Sequence, residues 1–534
     1  KLNFNRPMKA TNYQYGDVTS STAIGKEQII KYWDLPTGET VLTICNPQDI
    51  YGRAYGQNIT ITLQVEDVAT SYQHQPFDFI VGKDGDINEA VKAANGKAEG
   101  KSYNNTKADG QRYYIFVPDG EYQLTGNTTI KCSTDPKDAP KDEKGEPKTD
   151  MNGQNNGMTE IVKSNISLIG QSKEGVRIWN HPIVEGIGYT ATINLPKLEG
   201  KTIEDFYVQD LTLENKFDYW GSFSGQNSSG AGRAVAFCDR GNRSILKNVA
   251  LMSWQDTYYS CNSSPNYRSY FENCDLAGVV DWVCGNGDIW FEKCNLIVRD
   301  RTGNNIAAPN TEVGQAWGYV FNNCSIETES KTFNLGRSWG DAKVAYLNTT
   351  INSGKLVDSR WTAAGMNSVP VYFKEYNTVD KSGNNMNTPK SKVIEFTHKN
   401  GNKTMETVLT DEEAKEFTLD KFFTDWNPAE VAAQAEVDAA NFDAEATYLV
   451  EKNGKFVALI KGADLSSYSE GTIRKANARG GFGAAADLAI VTGIKSVANV
   501  DKSTKSGVIY DLLGRRLQNF NKGINIVDGK KIIK

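Results

Sequence analysis

Two aspartates stand 25 residues apart: Asp256 in Trp254-Gln255-Asp256-Thr257 and Asp281 in Val280-Asp281-Trp282. They keep step with a repeat that has the same length at that point. Its copies read Ile245-Leu-Lys-Asn248-Val, Phe271-Glu-Asn273-Cys274, Phe291-Glu-Lys293-Cys294, Phe321-Asn-Asn323-Cys324 and Tyr346-Leu-Asn348-Thr349. Each aspartate follows its asparagine, Asn248 or Asn273, by eight residues. If one repeat is one coil of a solenoid, the two carboxylates stack on neighbouring strands, about 4.8 Å apart. Two carboxyls that close do not both ionise easily. One then holds a proton as an acid while the other serves as nucleophile or base.

The elements that must position them are short strands. From Asn165-Ile-Ser-Leu-Ile-Gly170 to about residue 380, apolar runs recur at the roughly 20–40-residue spacing of a repeat fold. Such a period suggests a parallel β-helix; the alternative is an antiparallel sandwich. The unequal spacing of the Phe-x-Asn-Cys copies favours coils with loops of variable length. Apolar residues at 87, 90, 91 and 94 predict a short helix over 86–94, suited to cover the open end of a solenoid. Residues 133–157 read as an exposed loop. Residues 409–433 read as helical, with Thr410 as N-cap and Glu413 three residues on. The expected organisation is a β-rich element over 1–75, the solenoid over 76–433, a mixed linker region over 434–504 and a β module over 505–534.

Composition excludes several classes. The net charge is −6 and no basic run exists, which argues against nucleic acid. No stretch of 18 apolar residues could span a membrane. The sequence opens at Lys1 without a signal peptide; an exported chain would have lost one, or the sequence as given starts after it. The three histidines, His74, His181 and His398, lie in no motif, which argues against a Ser-His-Asp site or a histidine-rich metal centre. Eight cysteines form no CxxC pair, which argues against a zinc knuckle or a thioredoxin-type site. Cys274, Cys294 and Cys324 hold one place in three repeats. They read as a ladder of small buried residues, with disulfides as the alternative.

The motifs resemble, in order, those of the pectin methylesterase (pectinesterase) family. They are Asp119-Gly-Glu-Tyr122, Arg233-Ala-Val-Ala-Phe237, Gln255-Asp256-Thr257-Tyr258, Asp281-Trp282-Val283-Cys284-Gly285 and Leu335-Gly336-Arg337-Ser338-Trp339, then Phe373-Lys374-Glu375-Tyr376-Asn377. The resemblance covers about 77–430. It implies an all-β, right-handed parallel β-helix, a pectin-lyase-like solenoid, with small accessory β elements at both ends. It implies hydrolysis of galacturonate methyl esters in pectin of the homogalacturonan type, without cofactor or metal. Asp281 would be the nucleophile and Asp256 the general acid, then base. Gln255 would hold the oxyanion, Arg337 would keep Asp281 ionised, and Trp339 and Trp282 would meet the sugar. These residue types suit the chemistry: a nearby cation favours an ionised carboxylate, and a neutral amide stabilises developing charge. Trp282 could equally be a core aromatic.

Arg233 departs from the family, which has glutamine there. Its charge would favour ionised Asp256, or its fork could grip a substrate carboxylate. The substrate would then be a branched or unusual pectin. Two other functions stay open: a pectin glycoside hydrolase or lyase, which paired carboxylates alone would permit, and a non-catalytic pectin-binding protein. Gly507-Val-Ile-Tyr-Asp-Leu-Leu-Gly514-Arg515-Arg516 and the segment after it resemble the sorting-type tails of secreted Bacteroidota proteins. That implies a periplasmic or cell-surface location. A monomer is the default expectation.

Overall fold

The computed structural model describes residues 2–65 without 16–17, 22–24 and 29–37. It describes 77–492 without 127, 130–156, 183–184, 189, 221–231, 262–266, 302–303, 329–331, 353–355, 358–359, 363–367 and 399–400, and four short strands beyond 508. The loop expected at 133–157, Gly157 aside, and Cys132 lie outside the described residues. The chain divides into two units, Lys1–Tyr72 and Gln73–Lys534. The first holds a two-stranded and a four-stranded antiparallel sheet around Met8, Tyr13, Leu42 and Ile44.

The second unit is built on a parallel β-helix. One sheet has seven strands, all paired in parallel with the next: β1 (Ile193–Leu195), β2 (Phe237–Asp239), β3 (Tyr258–Ser260), β4 (Val280–Gly285), β5 (Asn304–Pro309), β6 (Phe333–Arg337) and β7 (Trp361–Thr362). The other is a curled seventeen-stranded sheet that contributes two strands to most coils and one bent strand, Tyr207–Asn215 or Ser244–Met252, to two of them.

The repeat explains the curl. Its central residue, Asn248, Asn273, Lys293, Asn323 or Asn348, has φ between +51° and +55°, and Asn377 extends the line at +53°. Asparagine tolerates this left-handed region better than most residues. One such residue per coil bends the chain from the first strand into the second. The phenylalanine two positions earlier points inward. Phe271, Phe291, Phe321 and Tyr346 lie in register on neighbouring strands, with ring centroids 4.7, 4.5 and 4.4 Å apart. The cysteine one position later is also buried. Cys274 donates its thiol to Leu246 O at 3.3 Å, and Cys324 to Phe291 O at 3.5 Å. All three ladder cysteines are free thiols, so the disulfide alternative fails.

Helix α1 (Ile87–Ala94) starts where expected, with Asp86 Oδ1 accepting from the N–H groups of Asn88 and Glu89. Its apolar face joins the core at the first coils. Residues 410–433 form three short helical turns rather than one helix: Asp411–Ala414, Leu419–Phe422 and Pro428–Val431. Thr410 and Glu413 make the expected capping box. Pro428 opens a new turn at its first position, which proline suits. The region assigned to a linker contains a four-stranded antiparallel sheet over 447–487 with its own apolar core. It docks on the coils through Gln171 Nε2 donating to Glu451 Oε1 (2.9 Å) and Arg474 donating to Asp210 (2.7 Å).

Candidate active site

Asp256 lies two residues before β3, and Asp281 is the second residue of β4. Lateral pairing fixes their relation. Arg233, Gln255 and Val280 bridge one another in parallel, and Tyr258 pairs with Val283. Asp256 therefore neighbours Asp281 across one strand spacing. Both have left-handed backbones, φ +57° and +52°. Aspartate is among the few residues that visit this region, and a like corner in successive coils puts like side chains in line.

Both carboxylates are nearly sealed from solvent, with 4% and 6% exposure. Arg337, at the end of β6, holds Asp281 in a bidentate pair. Nε donates to Oδ1 at 2.8 Å and a terminal nitrogen donates to Oδ2. Asp256 lies outside this fork. Burial pushes its carboxyl well above the usual range, and the charge of Asp281 adds to that. Burial also raises Asp281, but the hydrogen bonds and charge of Arg337 oppose it. The proton is thus held more firmly on Asp256 than on Asp281, and the cause is the placement of the arginine.

Gln255 is oriented by the chain above it. Its Oε1 accepts from Gly232 N at 2.9 Å, which turns the amide N–H2 to the other side as a donor. Arg233 is anchored by Glu185. Nε donates to Oε2 at 2.6 Å and a terminal nitrogen to Oε1 at 2.5 Å. The carboxylate of Glu185 is buried. The fork read as a grip for a substrate carboxylate is therefore occupied from within. Glu185 itself gave no signal in the sequence, because 48 residues separate it from Arg233 and it lies in a loop without a motif.

The two tryptophans separate. Trp282 is fully buried in the main core, so it is a core aromatic and meets no polymer from solvent. Side chains alternate along a strand, and the neighbour of an outward aspartate points inward. Trp339 is 37% exposed and sits 6.3 Å from the ring of Tyr259. On the other side of Asp256, Trp254 stacks on Tyr219 at 5.7 Å, with the Arg299 guanidinium 3.8 Å from its ring centre. Neither tyrosine stood out in the sequence. Among the described residues no group of three or more His, Cys, Asp or Glu is placed to hold a metal ion.

Comparison with known proteins agrees on one family. Residues 155–425 match the family model described as Pectinesterase. The chain is 28% identical over 315 residues to "Pectinesterase A" of Dickeya dadantii, covering 52% of this chain and 82% of that one. It is 28% identical over 175 residues to "Putative pectinesterase 11" of Arabidopsis thaliana, covering 32% and 45%. Among solved structures, a pectin methylesterase from Erwinia chrysanthemi aligns with a TM-score of 0.45 at 22% identity, over 67% of this chain and 99% of that one.

Proposed function

The chain belongs to the pectinesterase family, and from that premise we propose that it removes methyl groups from pectin through a division of labour between Asp281 and Asp256. The enzyme is a pectin methylesterase. In our reading the ionised Asp281 carboxylate attacks the ester carbonyl carbon, and the amide of Gln255 stabilises the resulting oxyanion. The tetrahedral centre collapses as Asp256 gives its proton to the departing methoxide oxygen, so methanol leaves. An anhydride on Asp281 remains. Asp256, now ionised, takes a proton from water. The water oxygen attacks the galacturonate carbonyl carbon, and the Asp281 carboxylate leaves. The product is a free galacturonate carboxyl, and both aspartates return to their starting states.

The observation that carries this reading is the asymmetry of the buried pair: Arg337 grips Asp281 and leaves Asp256 outside its fork. A nucleophile must be charged and an acid must keep its proton, and this arrangement supplies both. Trp339, half-exposed beside Tyr259, offers a flat face for a sugar ring. We also infer export to the periplasm or cell surface, supported by the C-terminal likeness. No helix among the described residues is long and apolar enough to cross a membrane.

The test is methanol release from highly methylated pectin by the unaltered chain and by Asp281→Ala. Release that disappears in the variant supports the assignment. An unaltered chain that releases none, from plain or branched pectins, overturns it.

A further inference from the structure

We infer that Glu185 is a positioning residue for this esterase: it closes Arg233 into a neutral, fixed pair so that a cation can stand beside Gln255 without drawing the proton from Asp256. This rests on the function proposed above and names a part of the site that the motifs do not contain.

The geometry is specific. Arg233 is bridged in parallel to Gln255, so its charge enters the coil directly above the acid. Glu185 meets it at both Nε and a terminal nitrogen, and its carboxylate also accepts from the Arg233 backbone N–H at 3.3 Å. The backbone is locked as well, since Gly186 N donates to Arg233 O at 2.8 Å. The two buried oxygens of Glu185 thus set both the direction and the net charge of the arginine. Bidentate arginine–carboxylate pairs are the strong, directional kind.

Several charged or titratable groups bear on Asp256. Asp281 and Arg337 act from the following coils, Arg233 and Glu185 from the preceding side, and Tyr219 and Cys284 also lie in its field. After burial and Asp281, the opposed influences of Arg233 and Glu185 come next on its carboxyl: Arg233 lowers it and Glu185 raises it. Removing one member of the pair exposes Asp256 to the other. In the family, the glutamine at position 233 brings no charge; here an arginine does, together with a carboxylate that cancels it.

The test is the pH profile of kcat/KM for methanol release in Glu185→Gln. The alkaline limb, which reports the protonated acid of the coupled pair, is expected to move about one unit to lower pH, a loss of about tenfold on that limb. The double variant Glu185→Gln/Arg233→Gln is expected to return the limb to its original place. An unmoved limb in a folded Glu185→Gln protein overturns the inference. So does a limb that moves but is not restored in the double variant, because Glu185 would then act through packing alone. Melting temperature against pH for the same three proteins reads the charge effect without any turnover. It keeps this inference separable from the esterase assignment, which fails by itself if the unaltered protein releases no methanol.

Discussion

Two lines of left-handed residues run along the coils. The asparagine line, Asn248, Asn273, Asn323, Asn348 and Asn377, turns one strand into the next. The aspartate line has two members, Asp256 and Asp281, eight residues further on in two successive coils. Their backbones match within a few degrees, and their side chains differ by an amide for a carboxylate. Surroundings separate them. From Asn273 onward the asparagines are exposed and bond along the line, as when Asn377 Nδ2 donates to Asn348 Oδ1 at 3.0 Å. The aspartates are buried beside Arg337 and Arg233. A corner that from Asn273 onward only shapes the chain in one line therefore presents titrating groups in the other. Burial and two arginines make the difference, not local conformation.

The sharpest way to break this comparison is to neutralise one member of the buried line. Asp281→Ala is expected to lower methanol release by roughly 10⁴-fold or more, the scale seen when a nucleophile is removed. Asn273→Asp, which puts a carboxylate in the exposed line, is expected to leave release unchanged. A matched assay on methylated pectin decides both.

Asp256→Asn comes next, with a loss of roughly 10²–10⁴-fold for a missing acid–base group. It should also gain stability, and the sign follows from linkage. The folded carboxyl is raised above its unfolded value of about 4. Its favourable contribution is complete below that value and is lost as pH rises through the folded one. Asparagine does not ionise and keeps the left-handed corner. The melting temperature of the variant should therefore exceed that of the unaltered chain at neutral pH, and the gap should close below about pH 4. Differential scanning fluorimetry across that range measures it.

Smaller effects sharpen the contrast. Trp339→Ala is expected to raise KM on polymeric pectin about fivefold, about 1 kcal/mol of lost aromatic contact, with kcat nearly unchanged. In the exposed line, Lys293 is the one residue from Asn248 to Asn377 that is not asparagine, at φ +53°. Lys293→Asn is expected to stabilise the fold by about 1 kcal/mol without altering activity, as calorimetry and the methanol assay would show.

Much of this was legible in the chain. Asp86 and the apolar spacing after it located α1. Thr410 and Glu413 located a capping box, although the helix expected after it is three short turns, the last opened by Pro428. The Phe-x-Asn-Cys copies gave the coil and its inward and outward positions. Legibility ended where partners are far apart in sequence. The family resemblance left Trp282 as a sugar contact or a core aromatic, and strand alternation turns it into the core. The sheet over 447–487 has ordinary strand patterning, yet only its docking on Asp210 and Gln171 shows what it covers.

The sequence alone determined the period of the coil, the left-handed corners, and the stacking of two carboxylates on neighbouring strands, because these depend on residue type and spacing along the chain. Only the tertiary structure shows what surrounds each carboxylate. Those surroundings are set by burial and by distances to Arg337, Arg233 and Glu185, and closure of the coils brings those groups within reach across 56 and 48 residues of chain. Electrostatic energy follows distance in space and the loss of water around each charge, and neither can be read from order along the chain.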